Sequence, residues 1–253
     1  ISERDLEDGF DDPRYFFTGE DGAMIFRSTV GGARTSQNTS YVRTELREML
    51  RRGNESIGTR TRGGQTTANN WVFSTAPESA RMAAGGIDGV LRATVAVRQV
   101  TTTGADNQVG RVIIGQIHAE DDEPCRLYYR LLPGHRRGSI YYAHELRGGE
   151  DQYRELIGSR SSNASEPADG IPLGEQFSYE IRVDGHQLTV RIVRSGRAEI
   201  VDTYDMSDSG YDVADEFMYF KAGAYVQDNT GRPDDYAEVA FYALENTHDG
   251  YPF

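Results

Sequence analysis

Phe177-Ser178-Tyr179-Glu180-Ile181-Arg182-Val183-Asp184-Gly185-His186-Gln187-Leu188-Thr189-Val190-Arg191-Ile192-Val193 is the clearest hairpin in the chain. Two strand-like runs, 177–183 and 187–193, flank Asp184-Gly185, a pair that suits a tight turn between antiparallel strands. Outward from it the same pattern recurs. Residues 89–100 alternate Val90, Arg92, Thr94 and Ala96 with Leu91, Ala93, Val95 and Val97. Residues 41–50 set Val42, Thr44 and Leu46 against Arg43, Glu45 and Arg47. Residues 23–30, 70–74, 110–119, 125–132, 139–146, 199–204, 217–227 and 236–244 also read as strands. Helical periodicity is scarce, and 76–84 is its best candidate. About a dozen strands separated by turn signals predict an all-β fold, a sandwich or barrel, as a single domain over residues 1–253. Residues 1–20 read as an acidic, solvated arm, and 51–70 and 147–170 as long polar loops, the first a mobile loop over a site.

Composition bounds the function. The 253 residues are 37% hydrophobic and 10% aromatic, which supplies a sizeable core. No apolar run approaches the roughly 20 residues a membrane-spanning helix needs, so no membrane partner is expected. The chain begins at Ile1 rather than Met, as a mature secreted protein would, and a secreted or extracellular location is the expectation. The one cysteine, Cys125, forms no internal disulfide and reads as a packed strand residue beside Leu127 and Tyr129. A net charge of −13 argues against nucleic acid, whose phosphates want a basic footprint. It argues less against other polyanions, because surface charge is screened beyond about 8–10 Å.

Three strands carry reactive faces. In 219–227, Tyr219, Lys221, Gly223, Tyr225 and Gln227 fall on one side, and Phe220, Ala222, Ala224 and Val226 on the other. Lys221 is the only lysine in the chain. Arg43, Glu45 and Arg47 share a face of a second strand; Gln116 and His118 share a face of a third, with Gly115, Ile117 and Ala119 turned inward. If these strands adjoin, one surface gathers Arg, Gln, His, Tyr and Lys. Such a set suits a uronic acid. Removing its C5 hydrogen builds an enolate dianion beside the carboxylate, so the carboxylate has to be neutralised where charge develops. Arg43 and Gln116 suit that task. His118 and Tyr225 suit proton transfer, with no metal or organic cofactor required.

Arg43-Thr44-Glu45-Leu46-Arg47, Gln116-Ile117-His118 and Tyr219-Phe220-Lys221-Ala222-Gly223-Ala224-Tyr225-Val226-Gln227 resemble, in order, the three signature segments of polysaccharide lyase family 7, the alginate lyases. The resemblance covers residue 23 to the end. It implies a β-jelly-roll sandwich of two antiparallel sheets with an open substrate cleft. It implies a lyase acting on an anionic polysaccharide, alginate, with Arg43, Gln116, His118 and Tyr225 catalytic. It implies a substrate-binding set of Glu45, Arg47, Tyr219, Lys221 and Gln227, with Glu45 orienting the arginines; the strand face itself reads Gly223 as leaving clearance beside them. Family members with isoleucine at the position of Ile117 tend towards guluronate or mixed blocks, and cutting within the chain is the default. Ala224 and Val226 depart from the family's usual residues but point away from the cleft.

Other readings weigh less. His135, His144, His186 and His248 read as surface residues, and residues 120–123 as a solvated turn without a metal-ligand spacing. Asp8, Asp11 and Asp12 lack a calcium-loop pattern. Glu45 and Glu48 lie on opposite strand faces, so they make no glycosidase pair. No serine sits in a nucleophile elbow, and the sequons at Asn38, Asn54 and Asn163 arise easily by chance. A lyase for another polyuronate such as glucuronan, or a non-catalytic polyuronate-binding sandwich, are the alternatives; the second has no use for Tyr225 or His118.

Overall fold

The structure is a computed structural model that describes residues 1–34, 36, 39–51, 53–59 and 68–250. Its strands are β1 (Phe16–Thr18), β2 (Met24–Thr29), β3 (Arg43–Arg47), β4 (Trp71–Val72), β5 (Gly86–Gln99), β6 (Arg111–His118), β7 (Cys125–Arg130) and β8 (Arg137–Glu145). They continue with β9 (Asp151–Ile157), β10 (Ile171–Pro172), β11 (Phe177–Asp184), β12 (Gln187–Val193), β13 (Ile200–Asp205), β14 (Tyr219–Val226) and β15 (Tyr236–Asp249). Two short helices, α1 (Glu3–Glu7) and α2 (Glu78–Ala83), complete the elements. One sheet runs β1-β2-β15-β5-β11-β12-β13, with β4 added parallel to β5. The other runs β10-β8-β7-β6-β14-β3, with β9 on β8.

The alternation seen in the sequence becomes the core between these sheets. Leu91, Ala93, Val95 and Val97 of β5, with Phe177, Tyr179, Ile181 and Val183 of β11, meet Phe220, Ala222, Ala224 and Val226 of β14 and Cys125, Leu127 and Tyr129 of β7. On β6 the inward set changes parity, from Val112 and Ile114 to Ile117. The ladder slips on both sides of Ile114, which lets the strand bury both sets while Gln116 and His118 stay outward. Tyr179 pins this bulge by donating its hydroxyl to Ile114 O (2.9 Å). Gly115 leaves the phenol room, since a Cβ there would lie 2.7 Å from the Tyr179 hydroxyl oxygen.

Several expectations change. In the β11–β12 hairpin Asp184 pairs with Gln187, so the two loop residues are Gly185-His186 rather than Asp184-Gly185. Gly185 supplies the positive φ (59°) that a two-residue hairpin needs at its first loop position. Residues 1–20 are solvated, with none buried, but they are structured: a Ser2–Asp5 capping box starts α1, β1 joins the first sheet, and Phe16 packs on Phe26 with ring centroids 5.0 Å apart. The polar stretch 147–170 contains β9, an edge strand with one face in solvent. Of the loop expected over 51–70, residues 52 and 60–67 lie outside the described residues, as does the sequon residue Asn38. His144 and His248 are buried, not superficial. His144 bonds Pro124 O and Ser209; His248 bonds Asp88 O and, at 2.7 Å, Glu48.

Candidate active site

The three reactive faces adjoin, with β14 central between β6 and β3. Lys221 is registered with Gln116 on one side and Arg47 on the other; Tyr219 faces His118, and Tyr225 faces Arg43. Most of these side chains are withdrawn from bulk water. Gln116 is wholly buried, Tyr225 is 9% exposed and Gln227 is 6% exposed. Charges there interact in a medium less polarisable than water, so their mutual arrangement carries more weight than on an open surface.

The Arg43 guanidinium carbon sits over the Tyr225 ring, 3.7 Å from its centroid, and Nη2 donates to the phenolic oxygen at 2.6 Å. The oxygen accepts this bond, so its own proton remains to be given elsewhere. Burial raises the proton affinity of Tyr225, and the Arg43 charge works against that rise. Tyr41 closes the far side of the ring edge-on at 6.4 Å. Gln116 Nε2 donates to Glu45 Oε1 at 2.6 Å, which fixes the amide orientation because a carboxylate only accepts. Glu45 therefore orients Gln116 more closely than it orients Arg43, whose Nη1 is 3.9 Å from Glu45 Oε2. Arg43 Nε, Glu45 Oε2 and Gln116 Oε1 are buried without partners among the described residues. Such orphans are uncommon unless a water or ligand completes them.

The two flanking cations differ. Arg47 stacks over Tyr219 at 3.8 Å and gives its donors to Glu48 O (2.8 Å), Thr59 O (2.9 Å) and Asn70 Oδ1 (2.6 Å). It shares the predicted face but tethers the chain that follows β3. Lys221 makes no hydrogen bond among the described residues; burial lowers its proton affinity and Glu45 opposes that. Of the two, Lys221 has donors to offer. Gly223 also changes meaning. Its φ is 153°, and a Cβ there would lie 2.3 Å from Thr44 O of β3. It admits the neighbouring strand rather than a ligand.

His118 stacks on Tyr219 (5.1 Å, 13°) and its Nδ1 is 2.5 Å from Ala119 O, so Nδ1 carries the proton and Nε2 the lone pair. Burial, then the Lys221 charge, holds its proton affinity down to about 4. Sequence reasoning missed its neighbour Glu123, 3.3 Å from Nε2, and Arg126 behind it. The outward parity of Arg126 was readable, since Cys125, Leu127 and Tyr129 all face the core. Residues 120–123 gave no such signal. Cys125 is buried as expected, with burial pushing its thiol up.

The family described as alginate lyase matches residues 1–248 of this chain. An alginate lyase of Klebsiella pneumoniae is 50% identical over 257 residues, covering 98% of this chain and 82% of that protein. The crystal structure of the alginate lyase from Klebsiella pneumoniae superimposes with a TM-score of 0.95 at 49% identity, covering all of this chain and 90% of the other. An alginate lyase of Pseudomonas aeruginosa follows with a TM-score of 0.67 at 26% identity, over 98% and 92% of the two chains. An exolytic family 7 alginate lyase of Zobellia galactanivorans, 23% identical over 97% and 91% of the chains, shares the fold with a TM-score of 0.71. The two-sheet sandwich is thus the β-jelly-roll that the three segments implied. Signature strands, matched family and shared architecture lead to one conclusion: this chain belongs to the alginate lyases of polysaccharide lyase family 7.

Proposed function

We propose that the chain cleaves alginate by β-elimination, within the polymer, with a lean towards guluronate or mixed blocks. The observation that carries this reading is the Arg43–Tyr225 contact, a guanidinium stacked on a phenol and bonded to its oxygen at 2.6 Å. It leaves the phenolic proton free and steadies the phenolate that donation creates. Tyr225 then protonates the leaving glycosidic oxygen. Arg43, the remaining N–H of Gln116 and the unengaged ammonium of Lys221 neutralise the uronate carboxylate. In guluronate the C5 hydrogen lies opposite the leaving group, and His118 is the base through Nε2. In mannuronate it lies on the same side, and Tyr225 serves as both base and acid. Gln227 lies beside the phenol and moderates its proton affinity. The edge strand β9 lengthens the sheet that carries the site, which favours binding along a polymer over capture of its end. A polymeric substrate also fits action outside the cell.

The test is incubation with polymannuronate, polyguluronate and glucuronan, following the ultraviolet absorbance of the new C4–C5 double bond. The expected result is a rise on alginate blocks, larger on guluronate, with rapid viscosity loss, and at least a hundredfold lower turnover for Tyr225→Phe. No rise on any polymer ends the lyase reading. Near-normal turnover of the phenylalanine variant ends the assignment of Tyr225.

A further inference from the structure

His118 is surrounded by charge. Lys221 and Tyr219 face it from β14, and the charge of Arg43, whose Nη1 is 3.9 Å from Glu45, acts on it from β3. From the turn before β7 comes Glu123, backed by Arg126 of β7, whose guanidinium also reaches Glu145 of β8 and Asp151 of β9. Two features of Glu123 stand out. Its Oε1 is 3.3 Å from His118 Nε2, an ion-pair distance from the nitrogen that would take the proton. It is also anchored: its Oε2 is 3.7 Å from Arg126, its backbone N–H donates to Glu145 Oε2 (3.3 Å), and its carbonyl accepts from Glu145 N (3.2 Å).

When Nε2 removes a proton from carbon, the C5–H bond breaks. The proton goes to Nε2 and the electron pair to the enolate. The C4–O bond then breaks, and the leaving oxygen takes the Tyr225 proton. His118 becomes an imidazolium in a half-enclosed site that already holds Lys221 and Arg43. Burial and both cations oppose that charge, and Glu123 favours it.

We propose that Glu123 is the positioning residue of His118: its carboxylate, fixed by Arg126, offsets the positive charge His118 gains on abstracting the guluronate C5 proton. The proposal rests on the β-elimination reading above. It assigns Glu123 no contact with the reacting carbon. Glu45 does not fill this place: one of its oxygens accepts from Gln116, and its charge acts on Lys221 and Arg43, while Glu123 is the carboxylate that acts on His118.

Glu123→Gln keeps the shape and removes the charge. The expected result is a drop of tenfold or more in kcat on polyguluronate, with polymannuronate turnover within about threefold of wild type. The His118 resonance, assigned by its loss in His118→Asn, titrates with a midpoint lower by about one pH unit or more. Glu123→Asp, which keeps the charge, restores most of the guluronate rate and covers the case in which the glutamine variant folds poorly. An unmoved His118 midpoint, equal losses on both polymers, or an aspartate variant as impaired as the glutamine one overturns the proposal. The titration is read without substrate. A wild-type protein inert on every polymer sinks the lyase reading, while the midpoint still reports on Glu123.

Discussion

Gly223→Ala isolates the strand spacing on which the site depends. The Cβ it introduces falls 2.3 Å from Thr44 O and 2.7 Å from Glu45 Cα, both backbone atoms of β3, so no side-chain rotation relieves it. Recovering a 3.0 Å contact requires β3 to retreat by about 0.7 Å. The φ of 153° adds strain for any L side chain. Gly223 is registered with Glu45, two pairs along the ladder from Tyr225 and Arg43. A retreat of that size stretches the 2.6 Å bond between Arg43 and the phenol beyond the range of a strong hydrogen bond. A hydrogen bond to a charged group contributes about 1.5–3 kcal/mol, which converts to a fall of roughly 10–100-fold in kcat. Overpacking costs about 1–3 kcal/mol in stability, a Tm lower by roughly 2–12 °C for a chain of this size. Turnover is read from the C4–C5 double-bond absorbance and Tm from circular dichroism. The competing idea, that Gly223 gives clearance to substrate, predicts a raised KM with kcat and Tm unchanged. That pattern, or an alanine variant equal to wild type, refutes the strand-spacing argument.

Two further predictions follow from the same face. Lys221→Met raises KM for alginate at least tenfold without lowering Tm, because its ammonium makes no hydrogen bond among the described residues; Arg47→Met lowers Tm through loss of its bonds to Thr59 and Asn70, a cost of about 2 kcal/mol, with the smaller change in KM. If the KM effects are reversed, the division between anchor and tether is wrong. His118 gives a pH signature in stability. Its proton affinity is held at about 4 in the fold against an ordinary 6.5, so between these values the unfolded chain binds more protons and stability falls as pH drops. At 1.36 kcal/mol per pH unit, this bounds the effect at about 3 kcal/mol. His118→Asn should flatten urea-derived stability between pH 6.5 and 4 by up to that amount, and an unchanged slope would contradict a neutral, buried His118.

The sandwich was legible wherever one strand face is apolar and the other is not. β5, the β11–β12 hairpin and β14 announce themselves that way, and the inward set of each is the core. β9 was not, because Gln152, Arg154 and Glu155 are solvated at a sheet edge and leave no apolar stripe to detect. His248 and His144 were misjudged for another reason. What buries them comes from far along the chain: Glu48 is 200 residues from His248, and Ser209 is 65 from His144. No local pattern encodes such partners. The site itself was legible as three faces. The free or committed state of each donor was not, since it depends on register: Arg43 meets Tyr225, while Arg47 is taken by the segment after its own strand.

The charge of the chain sharpens why those three strands suffice. β3, β6 and β14 carry Arg43, Arg47, Arg111 and Lys221 against the single carboxylate of Glu45, a local balance of +3 with His118 neutral, inside a protein of net charge −13. Beyond a screening length of about 8 Å the surrounding acid is damped, so an anionic polymer responds chiefly to the groups it touches. Within the face, geometry decides which positive charge is usable. Arg47 and Arg111 spend donors on backbone oxygens, at Thr59 and Gln227 among others, and Arg43 is bound to the phenol. Among the described residues that leaves the lone lysine as the cation of this face that spends no donor in a hydrogen bond. Lysine at 221 is therefore a consequence of the arginines around it: they build and steady the surface, and a different cation is needed to leave one charge available to the substrate.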